Sequence, residues 1–187
     1  MKDWLLSVDQ LKQYLYIDTN DFLREKCANL ELLDEVIRTG EKIFWQYNDE
    51  DRMKITGILG KLYRLKGDFQ TALPYLELYK NYCFEFEDQK EATIALIRYA
   101  EGLKYAKEFQ EAIASFEEAL ERCMIFQIKE HEDAAWQQLG KCYVEMGNLK
   151  IAEHCFLKAL MLRKQKNDPK LLEASESVLK FMLNIKK

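Results

Sequence analysis

The 187 residues carry 28 basic and 32 acidic side chains, a net charge of −4 with the two signs interspersed, so no basic stripe marks a nucleic-acid binder. Hydrophobic residues make up 48% of the chain, yet no apolar run reaches membrane-spanning length and the opening residues lack a secretory signal; neither a membrane nor an exported protein is expected. With 7 Gly and 2 Pro there is little material for turns, and no long alternating Val/Ile/Thr run suggests a sheet, which leaves long helices with short connections.

In chain order, Trp4, Leu5, Val8, Leu11 and Leu15 form an apolar stripe at helical spacing and predict a helix over residues 3–16. A short helix is expected from about Asp21. Residues 30–47 read as another helix, with Leu32, Val36 and Thr39 each 40 residues before Ala72, Leu76 and Tyr79. Residues 1–52 are therefore taken as N-terminal helices ending in a degenerate half-repeat.

Three in-register copies follow, with closing alanines at Ala72, Ala112 and Ala152, each 40 residues after the last. In the unit 53–92, Thr56, Leu59, Gly60 and Tyr63 make one helical face, and Phe69, Ala72, Leu76 and Tyr79 make the next. Tyr79 stands where the other copies have a small residue, so a wider contact is expected there. Pro74 suggests a helix starting at about Gln70 with a slight kink. The unit 93–132 offers Leu96, Tyr99, Ala100 and Leu103, then Phe109, Ala112, Phe116 and Ala119. The unit 133–166 offers Trp136, Leu139, Gly140 and Tyr143, then Ala152, Phe156 and Ala159, with Gly147-Asn148 as the break between helices. Small residues opposite large ones prescribe close packing of two antiparallel helices in each unit. Residues 167–187 close the chain, with a capping helix over 171–185 carrying Leu171, Leu172, Ala174, Val178, Leu179 and Met182.

These residues resemble the tetratricopeptide repeat over about 53–166. That family has a large residue, Leu, Gly/Ala and Tyr on its first helix, and Ala, Phe/Tyr and Ala on its second. The resemblance implies an all-α, right-handed solenoid of antiparallel helix pairs, about nine helices in all and no sheet. The family's repeat is about 34 residues long, so each unit here is longer by about six. Long-period variants of this kind are similar to bacterial peptide-pheromone sensors, kinesin light chains and spindle-orientation scaffolds.

The resemblance also implies that the first helices line a concave groove. The residues expected to bind a partner there are Lys54, Lys61, Arg64, Arg98, Glu101, Lys104, Tyr105, Gln137 and Lys141. Gly57, Ile58 and Leu65, then Ile94 and Ile97, then Ala134, Gln138, Val144 and Glu145 share this outward face. Lys61, Arg64, Arg98, Lys104 and Lys141 outnumber Glu101 and Glu145 on it. Two readings stay open: ordinary surface solvation, or a groove for an acidic peptide segment. The carboxylate clamp that some members use for chaperone tails needs asparagines; Lys61, Glu101 and Lys141 occupy one such position, so that clamp is not expected.

Catalytic constellations are missing: there is no Ser-centred elbow, GxxxxGK[ST] or HExxH, and the acid pairs Glu117-Glu118 and Glu85/Glu87/Asp88 lie on solvated patterns. Core packing is the expectation for Trp4 and Trp45, with partner contact the alternative. The 5 cysteines include no CxxC and lie apart from His131, while His154 merely adjoins Cys155; reduced, buried thiols in a cytoplasmic protein are expected, with no metal or cofactor. The leading expectation is a non-enzymatic scaffold or adaptor binding a protein or peptide, with neither nucleic acid nor membrane as partner. The alternatives are a peptide sensor that regulates another protein, and a homodimer joined through terminal helices.

Overall fold

The computed structural model describes residues 1–185; the expected capping segment 167–187 runs two residues past this limit, and Lys186 and Lys187 lie outside the described residues. The first elements are helix α1 (Lys2–Gln10), a 3-10 turn (Leu11–Tyr14), and an antiparallel hairpin of β1 (Leu15–Asp18) and β2 (Arg24–Cys27). Then come α2 (Leu30–Phe44), α3 (Asp49–Lys66), α4 (Phe69–Phe86), α5 (Gln89–Tyr105), α6 (Phe109–Ile125), α7 (Lys129–Glu145), α8 (Leu149–Lys166) and α9 (Pro169–Ile185). Nine α-helices thus dominate the described residues, in an all-α repeat solenoid.

The hairpin corrects the N-terminal reading, which placed helix over 3–16 and from Asp21, and expected no sheet. The register pairs Leu15 with Cys27, Tyr16 with Lys26, Ile17 with Glu25 and Asp18 with Arg24. The local cause is readable afterwards. Leu15-Tyr16-Ile17 favours extended backbone, and the Asp18 side chain accepts from the Asn20 N–H at 2.9 Å to start the turn. Lys26 Nζ then reaches both Asp18 and Asp21 at 2.8 Å. Of the apolar stripe, Trp4 and Leu11 are buried and Val8 is half-buried, but Leu5 is exposed and Leu15 sits in a strand.

Helix α2 buries Leu33, Val36, Ile37 and Gly40, spaced i, i+3, i+4 and i+7. The small position is therefore Gly40 and not the expected Thr39, which is exposed. The Trp4 ring lies over Gly40, and its indole N–H donates to the Val36 carbonyl at 2.8 Å. Trp4 is thus core, as expected, whereas Trp45 is 77% exposed and is not.

The three helix pairs share one turn. Gly67, Lys107 and Gly147 sit at equivalent positions with φ of 87°, 67° and 78°. After each, the next N–H reaches back to the carbonyl of Tyr63, Leu103 or Tyr143, at 3.0, 2.9 and 2.8 Å. Asn48, Asp68 and Asp88 cap α3, α4 and α5 by accepting from the N–H three residues on, at 2.9, 3.1 and 2.9 Å. Helix α4 starts at Phe69 and runs through Pro74 to Phe86, so the proline falls just past the first turn. The extra residues of each unit lengthen the helices, which run 17 or 18 residues from α3 to α8.

The small-opposite-large prescription holds in the third unit, where the Phe156 ring lies over Gly140. In the first unit it is inverted: the Tyr79 ring fills the space beside Gly57. Gly57 is consequently buried and not on the open face assigned to it. Helix α9 is tied down by a buried cluster. Arg163 Nε donates to Asp133 at 2.6 Å and Nη1 to the Ser175 hydroxyl at 3.0 Å, while Lys166 also pairs with Asp133. Helix α3 packs on α5 and α5 on α7, whereas α4, α6 and α8 meet one another less. The first helices therefore converge on the inner, concave side.

Candidate functional site

Three successive first helices bring Lys61 and Arg64, then Arg98, Glu101, Lys104 and Tyr105, then Gln138, Lys141 and Glu145 to this concave side. The sequence reading took these positions as open to solvent. Four are buried instead: Arg64 is 3% exposed, Lys104 0%, Tyr105 4% and Lys141 4%. For Arg64, Tyr105 and Lys141 the physical reason is the hairpin, which lies in the groove; Lys104 lies between Gln138 and the Tyr105 ring.

Leu23, 1% exposed, packs among Val144, Ala152, Phe156, Val178 and Met182. Lys141 Nζ donates to the Leu23 carbonyl at 2.8 Å. Arg24 makes a two-pronged pair with Glu145, at 2.5 and 3.2 Å, and also donates to the Tyr105 carbonyl at 3.3 Å. The Tyr105 hydroxyl accepts from the Glu25 N–H at 2.6 Å and donates to the Glu25 carbonyl at 3.4 Å. Arg64 Nη2 donates to the Glu25 carboxylate at 3.0 Å. The groove thus grips main chain and charge along one three-residue stretch, Leu23-Arg24-Glu25.

Around this stretch the charges are stacked and shared. Arg64 and Lys104 lie over the Tyr105 ring, 4.5 and 4.8 Å from its centroid. Lys104 Nζ donates to Gln138 at 2.7 Å, and Gln138 donates to Glu101 at 2.9 Å. Arg64 Nη1 lies 3.6 Å from Glu101 and makes no hydrogen bond. Burial works against charge on Arg64, but Glu101 and Glu25 hold the guanidinium firmly protonated. Burial also raises the Glu101 carboxyl; Arg64, Lys104 and Lys141 outweigh it and bring its pKa below the ordinary value. Burial, with Lys104 nearby, pushes the Lys141 ammonium down to about 7. Burial moves Lys104 in the same direction and the Tyr105 phenol up to about 12.

Space remains beside the hairpin. A cavity of about 260 Å³ is lined by Ile17, Glu25, Lys61, Arg64, Leu76, Arg98, Glu101, Gln138 and Lys141. Lys61, Arg64 and Arg98 face Glu25 and Glu101 there, with the Lys141 amine beside them. Lys61 is half-buried and Arg98 exposed, with Arg98 3.7 Å from Glu91. A second cavity of about 500 Å³ lies between the hairpin tip and α9, and Gln137 lines it beside Leu23, Lys141 and Val178. Lys54 lines neither cavity; it is exposed and pairs with Glu50 at 2.6 Å.

The chemistry available is recognition of extended backbone and carboxylate, by ammonium, guanidinium and phenol donors. The hairpin residues Leu23, Arg24 and Glu25 were not singled out from sequence. The signal was present in the turn-forming run Asp18-Thr19-Asn20-Asp21 after an aromatic, β-branched stretch.

Residues 91–165 match the family model described as the tetratricopeptide repeat. No curated protein matches the sequence significantly. Among solved structures, the apo form of RapI superposes with a TM-score of 0.68 at 16% identity, over 85% of this chain and 58% of that one. BtubC (BKLC) from P. vanneervenii gives 0.56 at 19% identity, over 82% and 66%. A Podosopora anserina protein assigned as a kinesin light chain, with nearly identical TPR-like repeats, gives 0.54 at 16% identity, over 84% and 85%. The chain therefore spans less than two thirds of RapI and of BtubC. At these identities the likeness is one of fold.

Proposed function

From the tetratricopeptide-repeat match over residues 91–165, we propose that this chain is a tetratricopeptide-repeat protein acting as a non-catalytic scaffold or adaptor whose concave face binds an acidic segment of a partner protein or peptide. The observation that carries this reading is the cavity beside the hairpin, where Lys61, Arg98 and the Lys141 amine gather around Arg64 and its partners Glu25 and Glu101. A carboxylate entering there would meet donors already gathered from three helices, in a partly enclosed site where screening is weak. The five free, buried thiols suit a reducing compartment, and we take the cytoplasm as its place.

Lys61 and Arg98 are the cations to test, since neither is buried and neither belongs to the apolar core. Lys104 is unsuitable for reversal: it is 0% exposed, and a glutamate there would be buried beside Glu101. The double variant Lys61→Glu/Arg98→Glu is expected to weaken binding of the natural partner, captured from the source cell, by about tenfold or about 1.4 kcal/mol. Added salt is expected to weaken wild-type binding in the same direction. Unchanged affinity with unchanged salt dependence would move the partner to another face.

A further inference from the structure

We propose that Leu23, Arg24 and Glu25, at the tip of the hairpin and the start of β2, occupy the ligand's own place in the groove, so that the ligand is a segment carrying an apolar residue, a cation and an acid in succession, and binds by displacing the hairpin tip. This deepens the reading of the concave face as a peptide-binding surface and rests on it.

Three observations converge. The first is the kind of contact made. Groove side chains bond the hairpin's main chain, at the Leu23 carbonyl and at both polar groups of Glu25. They place Leu23 in an apolar pocket and pair Arg24 with Glu145 and Glu25 with Arg64. Main-chain bonds hold any extended segment, while a pocket and two flanking charges select which one.

The second is the composition of the interface. Arg64 and Lys141 are buried against the hairpin, and both would regain water if its tip left. At the tip the contact is built from charges with Leu23 as its apolar anchor, and such a contact separates at lower cost than an apolar core; the base of the hairpin stays in the core through Leu15 and Cys27. The hairpin also carries its own internal pairs, from Lys26 to Asp18 and Asp21, so it can travel as one piece.

The third is the backbone at the tip. Phe22 and Leu23 have φ of 49° and 60°, a left-handed conformation that such side chains rarely take. The turn is closed within the hairpin, by the Leu23 N–H to the Asp18 carbonyl at 3.0 Å and the Arg24 N–H to the Asp21 carbonyl at 2.9 Å, so it presents Leu23 to the groove as a preformed tip. A tethered occupant has a high effective concentration, so only a ligand with matching chemistry competes with it.

The test uses the full chain. Arg24→Glu sets two carboxylates against each other at Glu145 and should eject the hairpin; Arg24→Glu/Glu145→Arg restores the pair with its signs exchanged. The probe is a labelled synthetic peptide of residues 19–28 carrying Cys27→Ser, and its control also carries Leu23→Asp and Glu25→Lys. The proposal expects fast hydrogen exchange at the β2 amides of Arg24→Glu, with α3–α8 still protected. It expects the probe to bind that variant at least tenfold more tightly than wild type, the control not to bind, and the swapped double variant to behave as wild type. Released β2 amides with no preference for the probe over the control would overturn it. So would β2 amides that stay protected, or that exchange only together with α3–α8, because the hairpin would then be a permanent strand of the fold. The captured partner separates this proposal from the scaffold reading: sensitivity to Lys61→Glu/Arg98→Glu with equal affinity for wild type and Arg24→Glu would leave the scaffold standing and sink displacement.

Discussion

Gly140 leaves room for the Phe156 ring, since a Cβ built there would lie 2.5 Å from one ring carbon and 2.7 Å from another. Both atoms belong to a buried, well-packed ring, so a larger side chain must move a helix. Gly140→Leu is expected to lower stability by about 1–3 kcal/mol or more. Lys150→Ala, at an exposed site, should cost less than about 0.5 kcal/mol. Denaturant midpoints measured side by side check the pair; equal shifts would mean that the contact is not the tight one described. Gly57 against Tyr79 shows the same rule with its partners exchanged. Tyr79 on the second helix alone predicts a wider contact; Gly57 on the first helix supplies the missing space.

At the scale of the element, the shared turn exposes one mismatch. Gly67 and Gly147 take left-handed backbone freely, but Lys107 holds φ of 67° with a full side chain. A non-glycine residue there costs about 1–2 kcal/mol, while glycine loses somewhat more freedom on folding. Lys107→Gly is therefore expected to stabilise the chain by about 0.5–1 kcal/mol, raising the melting temperature by about 1–4 °C. Lys107→Ala should give no such gain. The docking of α9 depends on a different device. Asp133, 2% exposed, is the shared acceptor for Arg163 and Lys166, and Arg163 reaches on to Ser175 in α9. Removing the acid leaves a buried guanidinium unpaired, so Asp133→Ala should cost about 3–5 kcal/mol. Hydrogen exchange should show protection lost first across α9; uniform loss along the chain would place the cluster's role elsewhere.

For the whole molecule, buried ionisable groups set a pH optimum. Lys141 has a pKa of about 7 in the folded chain against an ordinary 10.5, because burial and Lys104 disfavour its charge more than Glu101 and Glu25 favour it. Between these values the unfolded chain holds a proton that the folded chain has released, so stability rises as pH rises above about 7. Lys104 acts in the same direction. The thiols act oppositely. Burial raises Cys83, Cys123 and Cys155 to about 11 and Cys142 to about 12, from an ordinary 9.0. Above about pH 9 the unfolded chain loses protons that the folded chain keeps, and stability falls. The melting temperature is thus expected to climb from pH 7 towards 9 and then drop. Lys141→Met should remove much of the climb and leave the drop; a flat profile in the wild type would show that Lys141 keeps its charge when buried.

What the amino-acid sequence determined by itself is the repeat. A period of 40 residues, small residues facing large ones and helix-ending residues at fixed offsets are local facts, so the pairs α3/α4, α5/α6 and α7/α8 were legible within a few residues. The cations on the first helices followed from the same spacing, and Lys61 and Arg98 do face a common cavity. Burial of Arg64, Tyr105 and Lys141 was not legible, because it is decided by a segment 39 to 118 residues away in the chain. Nor was the hairpin: four-residue strands are too short to show a period, and Leu15 continued the preceding helical stripe by coincidence. A strand that short is held by what it lies against. Periodicity reports each helix's own faces, and only the assembled solenoid provides a groove wide enough for two strands and charged enough to hold Leu23, Arg24 and Glu25 within it.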